Sequence, residues 1–136
     1  MFKVRPAEEK DSGRILEIIN KADLYYPALT LDHFFAASEN EEILGCAKLE
    51  EFPDFYYLSS FAVDPAKQGK GIGIRFLNKL LKEIKKDVYL YTVKSGFFEK
   101  LGFEITAPRK DLPSKSNYIC SDCHSEKCVC MVRRAA

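Results

Sequence analysis

The sequence predicts an α/β domain, a mixed central sheet flanked by helices, with a Cys-rich C-terminal tail beyond it. Three observations predict this. Short runs rich in aromatic and β-branched residues alternate with stretches whose apolar residues recur at helical spacing. One such run, Leu58 to Pro65, passes through the glycine-rich turn Gln68 to Gly73 directly into an amphipathic helix. The 136 residues are enough for one core.

Phe2 to Arg5 reads as a short strand. Ile15, Ile18, Ile19 and Ala22 then fall at i, i+3, i+4 and i+7, one face of a helix that starts near Asp11 and ends at Tyr25-Tyr26-Pro27. Leu31 to Phe35 reads as a short second helix. Asn40-Glu41 is a turn between Phe35–Ser38 and the strand Ile43 to Phe52, and Pro53-Asp54 turns into the strand Phe55 to Val63. The helix after the glycines, Ile74 to about Lys86, buries Leu77, Leu80, Leu81 and Ile84. Its opposite side, with Lys79, Lys82, Glu83, Lys85 and Lys86, is a solvated surface. Val88 to Thr92 is a buried strand, Ser95 to Leu101 a short helix closed by Gly102, and Phe103 to Thr106 the last strand. The order is βαα-βββ-α-β-α-β, with a domain over residues 1–107 and a tail over 108–136 packed on it or extending it.

With 21 basic and 20 acidic residues, bulk electrostatics gives no reason to expect a nucleic-acid or membrane partner. Phe2-Lys3-Val4-Arg5-Pro6 has no apolar leader pattern and no run is long enough to span a bilayer, so a cytoplasmic location is expected. In that compartment the five cysteines are not read as ordinary structural disulfides.

Glycines at 69, 71 and 73 let a backbone approach a ligand closely, and the helix start behind them directs unpaired N–H groups at an anion. The element reads as a pyrophosphate cradle. A P-loop needs Lys-Ser/Thr after its last glycine, where Ile74-Arg75 stands. A dinucleotide-binding turn needs an acidic residue about twenty positions on, where Val93 and Lys94 stand. What remains is Gln68, Gly71 and Gly73 in the pattern Gln/Arg-x-x-Gly-x-Gly/Ala. Preceded by Phe61-Ala62-Val63-Asp64-Pro65 and followed by Phe97-Phe98-Glu99-Lys100-Leu101-Gly102-Phe103, this resembles the acetyl-CoA motif of the GCN5-related N-acetyltransferases (GNAT). Leu90-Tyr91-Thr92, Leu112-Pro113-x-Lys115 and the cysteines from Cys120 are similar in order and spacing to short-form N-acetylglutamate synthase-like members.

The resemblance implies an acetyl-CoA site where two neighbouring strands splay apart. Phe61, Ala62 and Val63 would pair with the pantetheine arm. The N–H groups of Gln68, Gly69, Lys70, Gly71, Ile72 and Gly73 would hold the pyrophosphate. Phe98 stands beside the cofactor where the superfamily carries a Tyr that protonates the leaving thiolate. Tyr57 matches the position of a Glu usual in the subgroup. Tyr26 to Thr30 lacks the Arg that suits a substrate carboxylate there.

Moving an acetyl group from a thioester to an amine needs no metal, but it does need a neutral amine. A lysine-type amine of pKa near 10.4 is neutral about once in 2,500 at pH 7, a deficit of roughly 4.6 kcal/mol. An α-amine near 8 loses about 1.4 kcal/mol. A general base makes up the difference. Tyr57, Ser59 and Tyr91 are the catalytic candidates, with Ser60 and Thr92 beside them. Ser59 and Ser60 point to opposite faces, and Tyr57 shares a face with Ser59. Backbone N–H near Ala62 or Val63 can polarise the thioester oxygen. Glu50 and Glu51 are the nearest carboxylates in sequence, and His33, on the early helix, is read as a surface residue, a place in the acceptor pocket being the alternative. For an acceptor carboxylate, Lys94 and Arg109 are the cations, with Arg5 behind them.

Cys120-x2-Cys123 can present two thiolates to one tetrahedral ion, with Cys128 and Cys130 completing the set and His124 as a substitute. A structural zinc there, or thiols left free or oxidised, are both open. Cys46, alone among apolar neighbours, is a core thiol. The reading is an acetyl-CoA-dependent N-acetyltransferase for a small amine, with an amino acid as one acceptor class. A peptide N-acetyltransferase and a CoA-binding regulatory module are the alternatives. A homodimer is left open.

Overall fold

The computed structural model describes residues 2–21, 24–25, 31–67, 69, 71–92, 94–110, 112, 119–120 and 129–135. Strand β1 (Phe2–Pro6) leads through a 3-10 turn (Glu9–Asp11) into α1 (Ser12–Lys21). Strands β2 (Leu24–Tyr25), β3 (Phe34–Glu39), β4 (Glu42–Glu51) and β5 (Phe55–Val63) follow. A second 3-10 turn (Pro65–Lys67) precedes α2 (Ile72–Leu81). Then come β6 (Asp87–Thr92), α3 (Ser95–Glu99), β7 (Glu104–Ile105), β8 (Ile119–Cys120) and β9 (Val129–Arg133). Seven strands form one sheet in the order β1-β3-β4-β5-β6-β9-β7, and β2 pairs with β8 separately. Only β5 and β6 run parallel within it.

The alternation of strand side chains divides the core in two. On one face Leu49, Leu58, Val88, Leu90 and Met131 pack against Phe76, Leu77, Leu80 and Leu81 of α2 and Phe98 of α3. On the other, Ala36, Cys46 and Ala62 pack against Ile15, Ile18 and Ile19 of α1, all three wholly buried. Each of those isoleucines contributes roughly 1.5–3 kcal/mol relative to an exposed position. Ala22, the fourth residue of the expected stripe, lies outside the described residues, as do Tyr26 to Thr30.

The expected helix at Leu31 to Phe35 is not formed. The Phe34 N–H bonds to the Leu31 carbonyl at 3.0 Å, and His33 has φ +66°, closing a turn from which β3 starts. Partners on both sides, β1 and β4, hold Phe34 and Phe35 in a strand, and tertiary pairing overrides local propensity. Helix α2 is shorter than expected, Ile72–Leu81. The Ile84 N–H turns back onto the Leu81 carbonyl, and Lys86 reaches Glu51 and the Phe52 carbonyl. The expected last strand, Phe103 to Thr106, is the two-residue edge strand β7. The strand beside β6 is β9, from the tail. The cysteine spacing draws attention away from the apolar run Val129–Val132 that forms it. Among the described residues no helix is long and apolar enough to cross a membrane.

Candidate active site

The site begins where β5 loses its regular pairing. Ser59 pairs with Lys48 and Ala62 with Cys46, so Ser60 and Phe61 together face Ala47, a β-bulge. Ser60 takes φ +57°, a conformation that costs a non-glycine residue about 1–2 kcal/mol. Its hydroxyl is buried without a hydrogen-bond partner among the described residues. The extra residue reverses the alternation. Tyr57 and Leu58 obey the pattern of the paired half, whereas beyond the bulge Ala62 joins the α1-side core and Val63 the α2-side core.

The second partner of β5 is lost at the same place. The β5–β6 ladder contains Phe55↔Asp87, Tyr56↔Val88 and Tyr57↔Tyr89, and ends there. From Leu90 to Thr92, β6 stays paired with β9. From Leu58 to Ala62, β5 therefore has no register partner on β6 among the described residues. Beyond the bulge, the Asp64 N–H donates to the Leu44 carbonyl on β4 at 2.8 Å, so β5 stays bound to β4 where its β6 partner is lost. This is the geometry in which an extended amide chain can add to a strand edge.

Beyond Val63 the chain enters the cradle. Asp64, buried at 4% exposure, accepts the Ala66 N–H at 3.0 Å through its carboxylate and the Lys67 N–H at 2.8 Å through its carbonyl. Gly69 (φ +83°) and Gly71 (φ +74°) need positive φ, while no atom beyond their own chain neighbours lies within 4 Å of an added Cβ. Gly71 caps α2 and the first intrahelical bond runs from Arg75 to its carbonyl at 3.1 Å. The N–H groups of Ile72, Gly73 and Ile74 thus precede the helical ladder and suit an anion. Gln68 and Lys70 lie outside the described residues. Gly73 serves packing instead, because a Cβ there would stand 3.1 Å from Phe97 and 3.2 Å from Phe61.

Those rings belong to an aromatic cluster. Phe61 stacks on Phe97 at 5.8 Å and meets Phe98 edge-on at 6.2 Å. Phe98 is buried and has no hydroxyl to offer a leaving group.

On the α1 side, Tyr57 and Tyr91 meet edge-on, ring centroids 6.3 Å apart, across the point where the ladder ends. Register brings together residues the sequence left scattered. Glu50 is opposite Tyr57 and Lys48 opposite Ser59, so these four share one face, and Lys48 Nζ stands 3.8 Å from Glu50 Oε1. Glu50 is half-buried. Glu51 is elsewhere, bound to Lys86 at 2.8 Å, which holds its carboxyl below the usual range. Thr92 serves a turn, its hydroxyl accepting the Lys94 N–H at 2.9 Å.

Of the expected cations, Lys94 caps α3 with its side chain exposed. Arg109 stacks over Phe55 at 4.6 Å and beside Asp54 at 3.9 Å, the end of β5 where β6 is still paired, and so stands away from the opening. Arg5 makes a two-pronged pair with Asp11 at 2.7 and 3.1 Å. His33 sits exposed on its turn.

Cys130 departs from the tail set. It is a β9 residue opposite Tyr91, packed with Phe55, Tyr57, Tyr89 and Val132. Cys123, Cys128 and His124 lie outside the described residues, and among those described no cluster of His, Cys, Asp or Glu is arranged for a metal. Cys46 is a core thiol, its pKa pushed up to about 12 by burial.

The bulge, the Glu50–Tyr57 pairing and the bond from Arg14 on α1 to Asp64 escape sequence reading. Asp64-Pro65 carries a signal for the last, since Asp before a turn accepts backbone N–H groups.

A family model described as "Acetyltransferase (GNAT) domain" matches residues 30–105. Comparison with curated protein sequences gives no match. Among solved structures, N-acetylglutamate synthase of Neisseria gonorrhoeae, complexed with coenzyme A and L-arginine, superposes with a TM-score of 0.77 at 21% identity. That alignment covers 98% of this chain and 33% of the synthase; the chain thus spans about a third of that protein. Rv2747 of Mycobacterium tuberculosis, in complex with CoA and NLQ, gives 0.73 at 18% identity, covering 98% and 99%. The ribosomal-protein-S18-alanine N-acetyltransferase of Escherichia coli gives 0.71 at 18%, covering 100% and 95%. The family match spans more than half of the chain, and the chain belongs to the GNAT acetyltransferase domain family.

Proposed function

We propose that the chain is an acetyl-CoA-dependent N-acetyltransferase whose acceptor is the primary amine of a small molecule, an amino acid being the favoured class. One observation carries the reading: the β5–β6 ladder ends at Tyr57↔Tyr89, and the open edge of β5 leads straight into the Gly71-capped start of α2. The β5 edge at Phe61 and Ala62 pairs with the pantetheine amides, with Val63 beside them. The N–H groups of Gly69, Gly71, Ile72 and Gly73 hold the pyrophosphate, with Gln68 and Lys70, outside the described residues, assigned to it from the sequence pattern.

Glu50 is the general base, with Tyr57, Ser59 and Tyr91 lining the approach. It is the carboxylate on the face shared by Tyr57 and Ser59, half-buried and 3.8 Å from Lys48 Nζ. The acceptor nitrogen attacks the thioester carbon and the C–N bond forms, giving an oxyanion that collapses as the C–S bond breaks and the thiolate leaves; the proton released from nitrogen passes to Glu50. A backbone N–H near Ala62 or Val63 polarises the thioester oxygen. Phe98 cannot protonate the leaving thiolate, but a thiol titrating near ~8.5 leaves unprotonated at pH 7 for only about 2 kcal/mol. Lys94 binds the acceptor carboxylate, and Arg109 is set aside by its stacking on Phe55. If the tail holds a structural zinc, Cys120, Cys123, Cys128 and His124 are the donors, Cys130 being committed to the sheet.

A peptide acceptor is the second reading, favoured by the nearly complete mutual coverage with the ribosomal-protein acetyltransferase. A thiol-release assay with panels of free amino acids and of N-terminal peptides separates them. Turnover highest with an amino acid supports the first, highest with peptides the second, and none with either overturns both. Glu50→Gln should lower kcat by roughly 10²- to 10⁴-fold, with CoA affinity unchanged.

A further inference from the structure

Arg14, on α1, reaches across the molecule to the turn that leads into the cradle. Its Nη2 lies 2.5 Å from Asp64 Oδ2, its Nε donates to the Ile43 carbonyl at 3.2 Å, and its Nη1 lies 2.5 Å from Glu17 Oε1. Asp64 itself is buried and organises everything immediately after β5. Its N–H is on Leu44, its carboxylate holds the Ala66 N–H and its carbonyl the Lys67 N–H. Lys67, at the end of that turn, stands 3.8 Å from Glu42, which is 3.9 Å from Arg14. One guanidinium thereby joins α1, the start of β4 and the end of β5, one short turn ahead of Gly69 and Gly71. A buried carboxylate left without its cation is costly in place, and the turn it organises can relieve that cost by moving.

We propose that Arg14 and Asp64 are positioning residues for the CoA cradle, the pair fixing the Pro65–Lys67 turn so that the N–H groups of the α2 start converge on one anion. The proposal rests on the assignment of CoA to that cradle. Neither residue touches the reacting atoms, and both act through the backbone of the Pro65–Lys67 turn. The pair also makes α1, whose isoleucines fill the other core, a support of a site on the far side of the sheet.

Calorimetric titration of CoA into the full chain tests this. Arg14→Met and Asp64→Asn are each expected to weaken CoA binding at least tenfold at a temperature where circular dichroism finds them folded. The KM for acetyl-CoA should rise similarly, with the acceptor KM unchanged. Asp64→Asn keeps an oxygen for the Ala66 N–H, so it isolates the charge, and Arg14→Lys should recover part of the affinity. A lower melting temperature with wild-type CoA affinity in both variants would assign the pair to stability alone and overturn the proposal. Equal rises in both KM values would overturn it as well. Wild-type chain that fails to bind CoA would instead overturn the cradle assignment and, with it, this inference.

Discussion

Gly73 faces Phe97 across the start of α2 so closely that a Cβ would stand 3.1 Å from the ring edge. The third glycine of the turn is thus a packing requirement, unlike Gly69 and Gly71, whose positive φ is the requirement. In Gly73→Ala the rings of Phe97 and Phe61 must shift by a few tenths of an ångström beside the open edge of β5. A rise of roughly two- to tenfold in the CoA dissociation constant is expected, with melting lowered by an amount typical of mild overpacking, about 1 kcal/mol. Calorimetry and thermal melts check both. Gly71→Ala should instead be costly through its φ of +74°.

Gly45 sets the distance between β4 and β5 beside the bulge. A Cβ there would lie 2.8 Å from the Ala62 carbonyl oxygen, a backbone atom held in the ladder. Gly45→Ala should destabilise the fold by about 1–3 kcal/mol, with denaturant unfolding as the measurement. Its effect on CoA binding should exceed that of an equally destabilising change at a distant core site, because the strands that move carry the bulge.

Acid should unfold the protein through two carboxylates. The Arg5 hydrogen bonds hold Asp11 below the ordinary carboxylate range, and the one from Arg14, with the Ala66 N–H, holds Asp64 there. A depressed folded pKa contributes stability that is complete above the unfolded value near ~3.9 and is lost as pH falls through the folded one. Melting temperature should therefore hold above about pH 5 and decline below about pH 4. Arg5→Met combined with Arg14→Met should flatten that decline while lowering stability at neutral pH.

Local pattern made much of this legible. The Ile15–Ile18–Ile19 stripe, the Asn40-Glu41 turn, the β5 run and the glycine-led helix are each set by neighbours in sequence, and each appears close to where expected. The misread parts depend on distant partners. Phe34 and Phe35 become strand because β1 and β4 lie on either side, and Val129–Val132 becomes strand because β6 has an unpaired edge. The site was half visible for the same reason. Glycines announce a cradle wherever they occur, whereas the pairing of Glu50 with Tyr57 follows from a register that no single strand encodes.

The placement of β9 has a consequence for the order of assembly. Beyond Tyr89 the wall of the opening formed by β6 is held in the sheet by β9, which arrives about forty positions later, a non-local closure that slows folding. Until it arrives, Leu90 to Thr92 present a bare apolar edge, the kind at which nascent chains join one another. The groove for the donor molecule is therefore finished only when the far end of the chain comes home.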